Sequence, residues 1–123
     1  MTKQTRPEAG QRQLRVGEEI RHVLAEIIAR GELRDPALSG RPITVTEVRM
    51  SRDLRYATVF VLPLGGEETD EVIAGLDRAK PFLRSQIGRQ VRLRFTPDLT
   101  FRADRGYEYA ARIDQLLKDS DGA

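Results

Sequence analysis

The stretch from Thr69 to Phe95 limits the possible folds of this chain most strongly, because two different hydrophobic periods follow each other in it. Apolar residues first recur at helical spacing and then alternate at strand spacing. The helical set is Val72, Ile73, Leu76, Ala79, Leu83 and Ile87, and the alternating set is Val91, Leu93 and Phe95. Pro81 lies inside the helical part and lacks the N–H for an i to i−4 hydrogen bond, so the helix is predicted to kink or restart there. We expect Gly88 to end the helix and a strand to follow.

The charge of this region changes from acidic to basic along the chain. Asp70, Glu71 and Asp77 come first, and the cations that follow are Arg78, Lys80, Arg84, Arg89, Arg92 and Arg94. Residues 78–105 hold eight Lys or Arg and two acidic residues, a local net charge of +6 in a chain of net charge +2. Such segregation favours an anion-binding surface, although ordinary solvated arginines would give the same pattern.

Length and composition limit the class of protein. A chain of 123 residues is large enough for one domain with a real core, and too short for two. Of its 21 cations 18 are arginine, whose planar guanidinium suits phosphate, although a genome rich in G and C would produce the same bias. The chain lacks cysteine, a long apolar run and an apolar leader, so we expect a cytoplasmic protein without disulfides or membrane contact.

The remaining elements follow from local patterns. A helix is predicted over 12–30, a strand from Ile43 with a change of phase near Glu47 that indicates a bulge, and a turn at 51–54. The second strand of this antiparallel hairpin is predicted over 56–62, and a short last helix over 107–117. Together these predict an α+β domain over 11–118, in which helices cover one face of a three-stranded sheet. We expect flexible tails at 1–10 and 119–123.

Neither catalysis nor a cofactor is predicted. His22 is the only histidine, without metal-ligand neighbours, and Ser51 with Asp53 lacks a base to complete a triad. The Gly65-Gly66 pair fits no phosphate-binding motif, and Asp70 and Glu71 would repel a phosphate from the helix that follows. We therefore assign no catalytic residue, no metal ligand and no cofactor.

Several segments, in this order, resemble the bacterial ribosome-binding factor A family. They are RPITVTEVRMSRDLRYATVFV at 41–61, RAKPFLRSQIGRQVRLRFTPDLTF at 78–101, and Asp-Pro at 35–36, and the resemblance covers about residues 12–118. It implies a type-II KH-like domain of order α-β-β-α-kink-α-β, with an Ala-x-Gly kink in place of the usual G-x-x-G loop. The corresponding residues are Ala79, Lys80 and Pro81, so proline stands where the family pattern has glycine. Because proline fixes φ, we predict a kink stiffer than a glycine kink.

The resemblance also implies a function. It implies binding to the immature small ribosomal subunit and its ribosomal RNA, a role in late maturation of that RNA, and a maturation GTPase as a further partner that promotes release. The predicted RNA contacts are the six cations from Arg78 to Arg94, with Arg12, Arg15 and Arg52 as secondary candidates. We expect a monomer that recognises RNA by shape and backbone, since Tyr56, Phe60, Phe82, Phe95 and Phe101 lie at positions typical of a core. A general KH-type RNA-binding protein, or a basic module for an acidic protein partner, would also fit these residues.

Overall fold

The first helix supplies one wall of the core. The computed structural model describes residues 2–66 and 68–105, and α1 spans Thr2–Ala29. Its buried face consists of Val16, Ile20, Val23, Leu24 and Ile27, as the helical spacing predicted. Gly31 follows with a φ of 69°, the left-handed conformation that terminates helices. The helix begins at Thr2, inside the segment predicted as a tail, while the domain limits and the mobility of the tails stay predictions.

The predicted antiparallel hairpin is confirmed. Strand β1 spans Ile43–Met50 and β2 spans Tyr56–Pro63, with Val48 opposite Val59. The register shifts between Val45 and Glu47, which confirms the bulge expected near Glu47. The bulged strand keeps its buried residues on one face on both sides of the shift.

The two helices that follow the hairpin confirm the predicted break and correct one boundary. After a short 3₁₀ turn at Leu64–Gly66, α2 spans Thr69–Arg78 and α3 spans Lys80–Gln90. The prediction that Gly88 ends the helix was wrong, because α3 continues for two residues beyond it. Gly88 instead allows close packing, since a Cβ there would lie 3.0 Å from Oγ1 of Thr96.

The third strand lies later in the chain than predicted. Strand β3 spans Asp98–Ala103, and residues 91–97 form an irregular loop, so the predicted strand over Val91–Phe95 was wrong. Val91 is buried without joining the sheet, whereas Phe95 is 49% exposed. Leu99 and Phe101 supply the alternating buried residues of the real strand. Phe82, which we expected in the core, is 40% exposed on α3.

The sheet has the order β1-β2-β3, with β2 and β3 parallel and joined through α2 and α3. The helices cover one face of the sheet, where α1 contacts β1 and α2 contacts β3. The α+β class, the KH-like element order and the three-stranded sheet are thereby confirmed. The predicted helix at 107–117 and the tail at 119–123 lie outside the described residues. In the part of the chain that the structure describes, no helix is long and apolar enough to cross a membrane.

Candidate nucleic-acid interface

The kink between α2 and α3 is built from hydrogen bonds around Ala79. Its N–H donates to the carbonyl oxygens of Gly75 and Leu76, both at 3.1 Å, and its own carbonyl accepts from the N–H of Leu83 at 3.0 Å. Pro81 occupies the first turn of α3, where an N–H would have no helical partner, so its missing donor costs nothing. The motif Ala79, Lys80 and Pro81 therefore forms the restart that the sequence predicted.

The cations beside the kink are partly neutralised by acidic side chains. Arg78 donates from Nε to Oδ2 of Asp35 at 2.7 Å and from Nη2 to Oδ1 at 2.9 Å. Nζ of Lys80 lies 4.0 Å from Oδ1 of Asp77. The Arg78 guanidinium and, secondly, the N–H of Ala37 lower the pKa of Asp35 from 3.8 to about 2. We call Arg78, Lys80 and their acidic partners Asp35 and Asp77 the kink end. Its two positive and two negative charges balance, so it attracts an anion weakly.

Arg84 has a structural role that the sequence did not reveal. Its Nε donates to the carbonyl oxygen of Pro97 and its Nη2 to that of Thr96, both at 3.0 Å. These bonds tie the loop at 91–97 to the middle of α3. Two of the guanidinium donors are thus bound by backbone acceptors, and Arg84 positions the loop while it keeps its positive charge.

The loop that Arg84 holds displays two further predicted cations. Arg92 and Arg94 are exposed, and Arg89 is exposed in the last turn of α3 just before the loop. Within the described residues, the backbone N–H groups of residues 92–96 donate no hydrogen bond. The segment therefore offers guanidinium groups to an anion.

The turn between β1 and β2 packs against this loop. The Ser51 hydroxyl donates to Oδ1 of Asp53 at 2.7 Å, and the N–H of Arg55 donates to the same oxygen at 3.1 Å. These two bonds lower the pKa of Asp53. The carbonyl of Arg55 accepts from the N–H of Asp98 at 2.8 Å, which joins the turn to the start of β3. Arg52, a predicted contact, is exposed at the tip of the turn.

One aromatic ring lies where the turn meets the loop. Cζ of Arg55 lies over the ring of Phe95 at 4.4 Å from its centroid, and Cζ of Arg94 lies at 5.8 Å. Arg55 was missed as a site residue, and Phe95 was expected in the core. Nothing local in the sequence links these positions, because their contact depends on the parallel pairing of Tyr56 with Asp98.

The secondary candidates Arg12 and Arg15 lie toward the same end of the molecule. Both are exposed on α1, and Nε2 of Gln13 between them donates to the carbonyl oxygen of Met50 at 2.9 Å. Met50 is the last residue of β1 and leads directly into the turn. This bond places that part of the helix beside the turn.

Apart from Arg84, the predicted cations are divided between two ends of the domain, and Arg55 joins the second of them. We call the second group the turn end; it consists of Arg12, Arg15, Arg52, Arg55, Arg89, Arg92 and Arg94. Helix α3 runs from the kink to the turn end over 11 residues, about 16 Å at 1.5 Å per residue. None of the seven forms an ion pair with a described residue, whereas Arg78 and Lys80 do. Among the described residues, no cluster of His, Cys, Asp or Glu could hold a metal ion.

Comparisons with known proteins identify similar sequences over most of the chain. The family model described as ribosome-binding factor A matches residues 12–117. The chain is 62% identical over 107 residues to a ribosome-binding factor A of Paramagnetospirillum magneticum, covering 87% of this chain and 75% of that protein. It is 56% identical over 107 residues to that of Methylocella silvestris, covering 87% and 69%.

Solved structures with the same description have the same fold. The ribosome-binding factor A of Thermus thermophilus superposes with a TM-score of 0.67 at 31% identity, covering 76% of this chain and 97% of that one. A putative ribosome-binding factor A of Thermotoga maritima gives 0.67 at 38% identity, covering 77% and 89%. A homology model of the Thermus protein, fitted into a cryo-EM map of its complex with the 30S subunit, gives 0.57 at 31% identity, covering 72% and 90%.

Proposed function

This chain belongs to the ribosome-binding factor A family, and on that premise we propose that it binds the immature small ribosomal subunit through ribosomal RNA and assists late maturation of that RNA. A family of ribosome-binding factors is not a family of enzymes, so the chain is a non-enzymatic factor. The 30S complex of the Thermus relative supports the small subunit as the partner.

The observation that carries the proposal is the cluster of exposed arginines at the turn end. A phosphate backbone attracts unpaired guanidinium groups, and each neutralised phosphate releases counterions, so binding depends steeply on salt. The arginines come from a turn, a loop and two helices, and we propose that together they present a broad surface rather than a narrow groove. Such a surface suits folded RNA that is recognised through its shape and phosphates.

The kink end has a different part in this proposal. Its two cations are paired, so they contribute little to phosphate binding, although the kink itself still brings backbone close to the surface. The RNA contacts predicted at Arg78 and Lys80 are therefore proposed as weak, and those at Arg89, Arg92 and Arg94 as strong. Arg84 contributes indirectly, because it holds the loop that carries two of these.

The finer points of the proposal rest on the family resemblance. We propose that the protein acts in the cytoplasm as a monomer, that it assists processing of small-subunit ribosomal RNA, and that a maturation GTPase promotes its release.

Binding to purified ribosomal subunits over a series of salt concentrations tests the proposal. We expect the full chain to bind immature small subunits in preference to mature small subunits and to large subunits. A variant with Arg52, Arg89, Arg92 and Arg94 changed to Gln should bind more weakly. If each contacts one phosphate, the slope of log affinity against log salt should fall by about 3, at roughly 0.7 to 0.9 per contact.

A control variant removes the two cations of the kink end, with Arg78 and Lys80 changed to Gln, and should leave the slope almost unchanged. Loss of binding in the control but not in the four-residue variant would move the contact surface to the kink end. Equal binding to small and large subunits would point to a general RNA-binding protein. Competition by an excess of poly-glutamate but not by RNA would point to an acidic protein partner.

A further inference from the structure

We infer that Phe95 and Arg55 form a stacking site for a single unpaired RNA base at the turn end. This inference rests on the proposed function, and it identifies the part of the RNA that this surface would hold. It differs from phosphate binding, because stacking needs an aromatic or guanidinium plane and a base that has left its helix.

Phe95 is exposed in a cationic setting. The ring is 49% exposed although the domain has a well-packed core, and the residues beside it in the loop, Arg94 and Thr96, are polar. Leu93, two residues earlier, is packed against the core, so the loop can bury an apolar side chain and leaves this one outside. An exposed aromatic ring among arginines is a common component of RNA-binding surfaces.

Arg55 lies beside the ring of Phe95. Its Cζ lies 4.4 Å from the ring centroid, which is stacking distance for a guanidinium on an aromatic ring. Cζ of Arg55 lies over the ring, and both residues are exposed. A base placed against them would stack on the ring and the guanidinium together.

The site is held in place before any ligand arrives. The N–H of Asp98 donates to the carbonyl of Arg55, and Arg84 donates to the carbonyl oxygens of Thr96 and Pro97. The two segments that carry the ring and the guanidinium are thereby fixed to each other. A preformed site reduces the loss of side-chain freedom on binding.

The surroundings suit the rest of a nucleotide. Arg92 and Arg94 are exposed in the same loop, and the N–H groups of residues 92–96 donate to no described residue. These groups can bind the phosphates on either side of a stacked base. An acidic protein partner would use the same charges but would gain nothing from the ring, so the contribution of Phe95 distinguishes the two partners.

The test uses the full chain and a short single-stranded RNA that contains one 2-aminopurine, a base whose fluorescence is quenched when it stacks. We expect the wild-type protein to quench the probe on binding. Phe95→Ala should weaken binding about 10- to 100-fold, the range expected for one stacked base, and abolish the quench that remains at saturation. Arg55→Lys, which keeps the charge and removes the plane, should also reduce the quench.

Arg92→Gln is the matched control for charge. It should weaken binding and lower the salt slope by about 0.7, the value for one phosphate of a single strand, while the quench at saturation stays at the wild-type level. Phe95→Leu keeps an apolar side chain in the loop and should lose the quench as Phe95→Ala does. Thermal unfolding is measured for every variant. We expect each to retain the fold, because the substituted positions are exposed.

Three results would overturn the inference. The first is a quench in Phe95→Leu as large as in wild type. The second is that Phe95→Ala weakens the binding of poly-glutamate as much as the binding of RNA. The third is that a perfect RNA duplex binds as tightly as the single-stranded probe. If the probe does not bind while small subunits do, the stacking site is wrong and the proposed function stands. If neither binds, the proposed function itself is wrong.

Discussion

The guanidinium of Arg78 is bound at two points by the carboxylate of Asp35, which lies 43 residues earlier in the chain. The contact fixes the end of α2 to the connection between α1 and β1. The Asp35 side chain is only 14% exposed, so the acceptor is well covered although the guanidinium is not. An arginine that charge alone would assign to RNA therefore serves the fold.

Substitution of Arg78 should consequently affect folding more than binding. We expect Arg78→Gln to lower the melting temperature measurably, while its affinity for small subunits stays within about twofold of wild type. Arg92→Gln should do the opposite, with an unchanged melting temperature and a salt slope lower by about 0.7 to 0.9. Calorimetry and subunit binding on both variants check this pair, and a wild-type salt slope in Arg92→Gln would contradict it.

The same ion pair predicts how stability depends on pH. The pKa of Asp35 is lowered from 3.8 to about 2, first by Arg78 and then by the N–H of Ala37. A folded pKa below the ordinary value means that the ionised carboxylate stabilises the protein above about pH 4, and that this contribution is lost as the pH falls toward 2.

Urea unfolding from pH 6 to pH 2 on wild type and Asp35→Asn measures this contribution. We expect wild type to be the more stable protein at pH 6 and the difference to shrink below about pH 4, because Asp35 becomes protonated as the pH approaches its folded pKa of about 2. A difference that is constant over the whole range would show that the aspartate acts through packing and not through its charge.

A glycine in α1 is expected to matter for a reason that the sequence does not display. A Cβ on Gly17 would overlap the carbonyl oxygen of Val48 in β1, so the backbone would have to move. We expect Gly17→Ala to destabilise the fold by about 1 to 3 kcal/mol through overpacking. Gly10 lies in the same helix with nothing within 4 Å of such a Cβ, so Gly10→Ala should instead stabilise by up to about 1 kcal/mol. Denaturant unfolding gives both values, and two changes of the same sign would exclude the close approach as their cause.

Two arginines of α3 are expected to have different roles, Arg84 in stability and Arg89 in RNA binding. Hydrogen bonds from a charged donor contribute about 1.5 to 3 kcal/mol each, and Arg84→Gln leaves two carbonyl oxygens without these donors. We expect it to cost about 1 to 3 kcal/mol and to speed amide exchange at Asp98, which joins the loop to the turn. Arg89→Gln on the same helix should change stability by less than about 0.5 kcal/mol and reduce the salt slope. Equal stability of the two variants would show that the loop does not depend on Arg84.

Structure set by residues close in sequence could be predicted, whereas structure set by contacts between distant residues could not. The faces of α1, the hairpin with its bulge, and the restart before Pro81 are set by neighbours in sequence, and their prediction was correct. The third strand was misplaced because Val91, Leu93 and Phe95 alternate as well as Leu99 and Phe101 do. Pairing with β2 decides which of the two segments becomes the strand. This parallel pairing joins residues separated in sequence by α2 and α3, so no local pattern specifies it.

The same reason explains what was missed at the candidate site. Charge along the sequence indicated a basic region, but it could not separate free cations from paired ones. Arg78 finds its partner 43 residues away, and Arg84 finds carbonyl oxygens 12 and 13 residues ahead. Arg55 reaches Phe95 only because Tyr56 pairs with Asp98. Division of the cations into two ends is thus a property of the tertiary structure.

Pro81 is expected to stiffen the kink between α2 and α3. The ring fixes φ at the second position of α3, next to the break at Ala79, so it restricts the backbone where the family pattern has a freely rotating glycine. We expect Pro81→Gly to destabilise the protein by roughly 0.5 to 1 kcal/mol, largely through the greater freedom of the unfolded chain. Amide exchange over residues 83–87 should become faster in this variant and change less in Pro81→Ala, which restores a helix-forming residue without the ring. If residues 83–87 exchange as readily in wild type as in Pro81→Gly, proline does not stiffen the kink, and a hinge between α2 and α3 would be available to this protein.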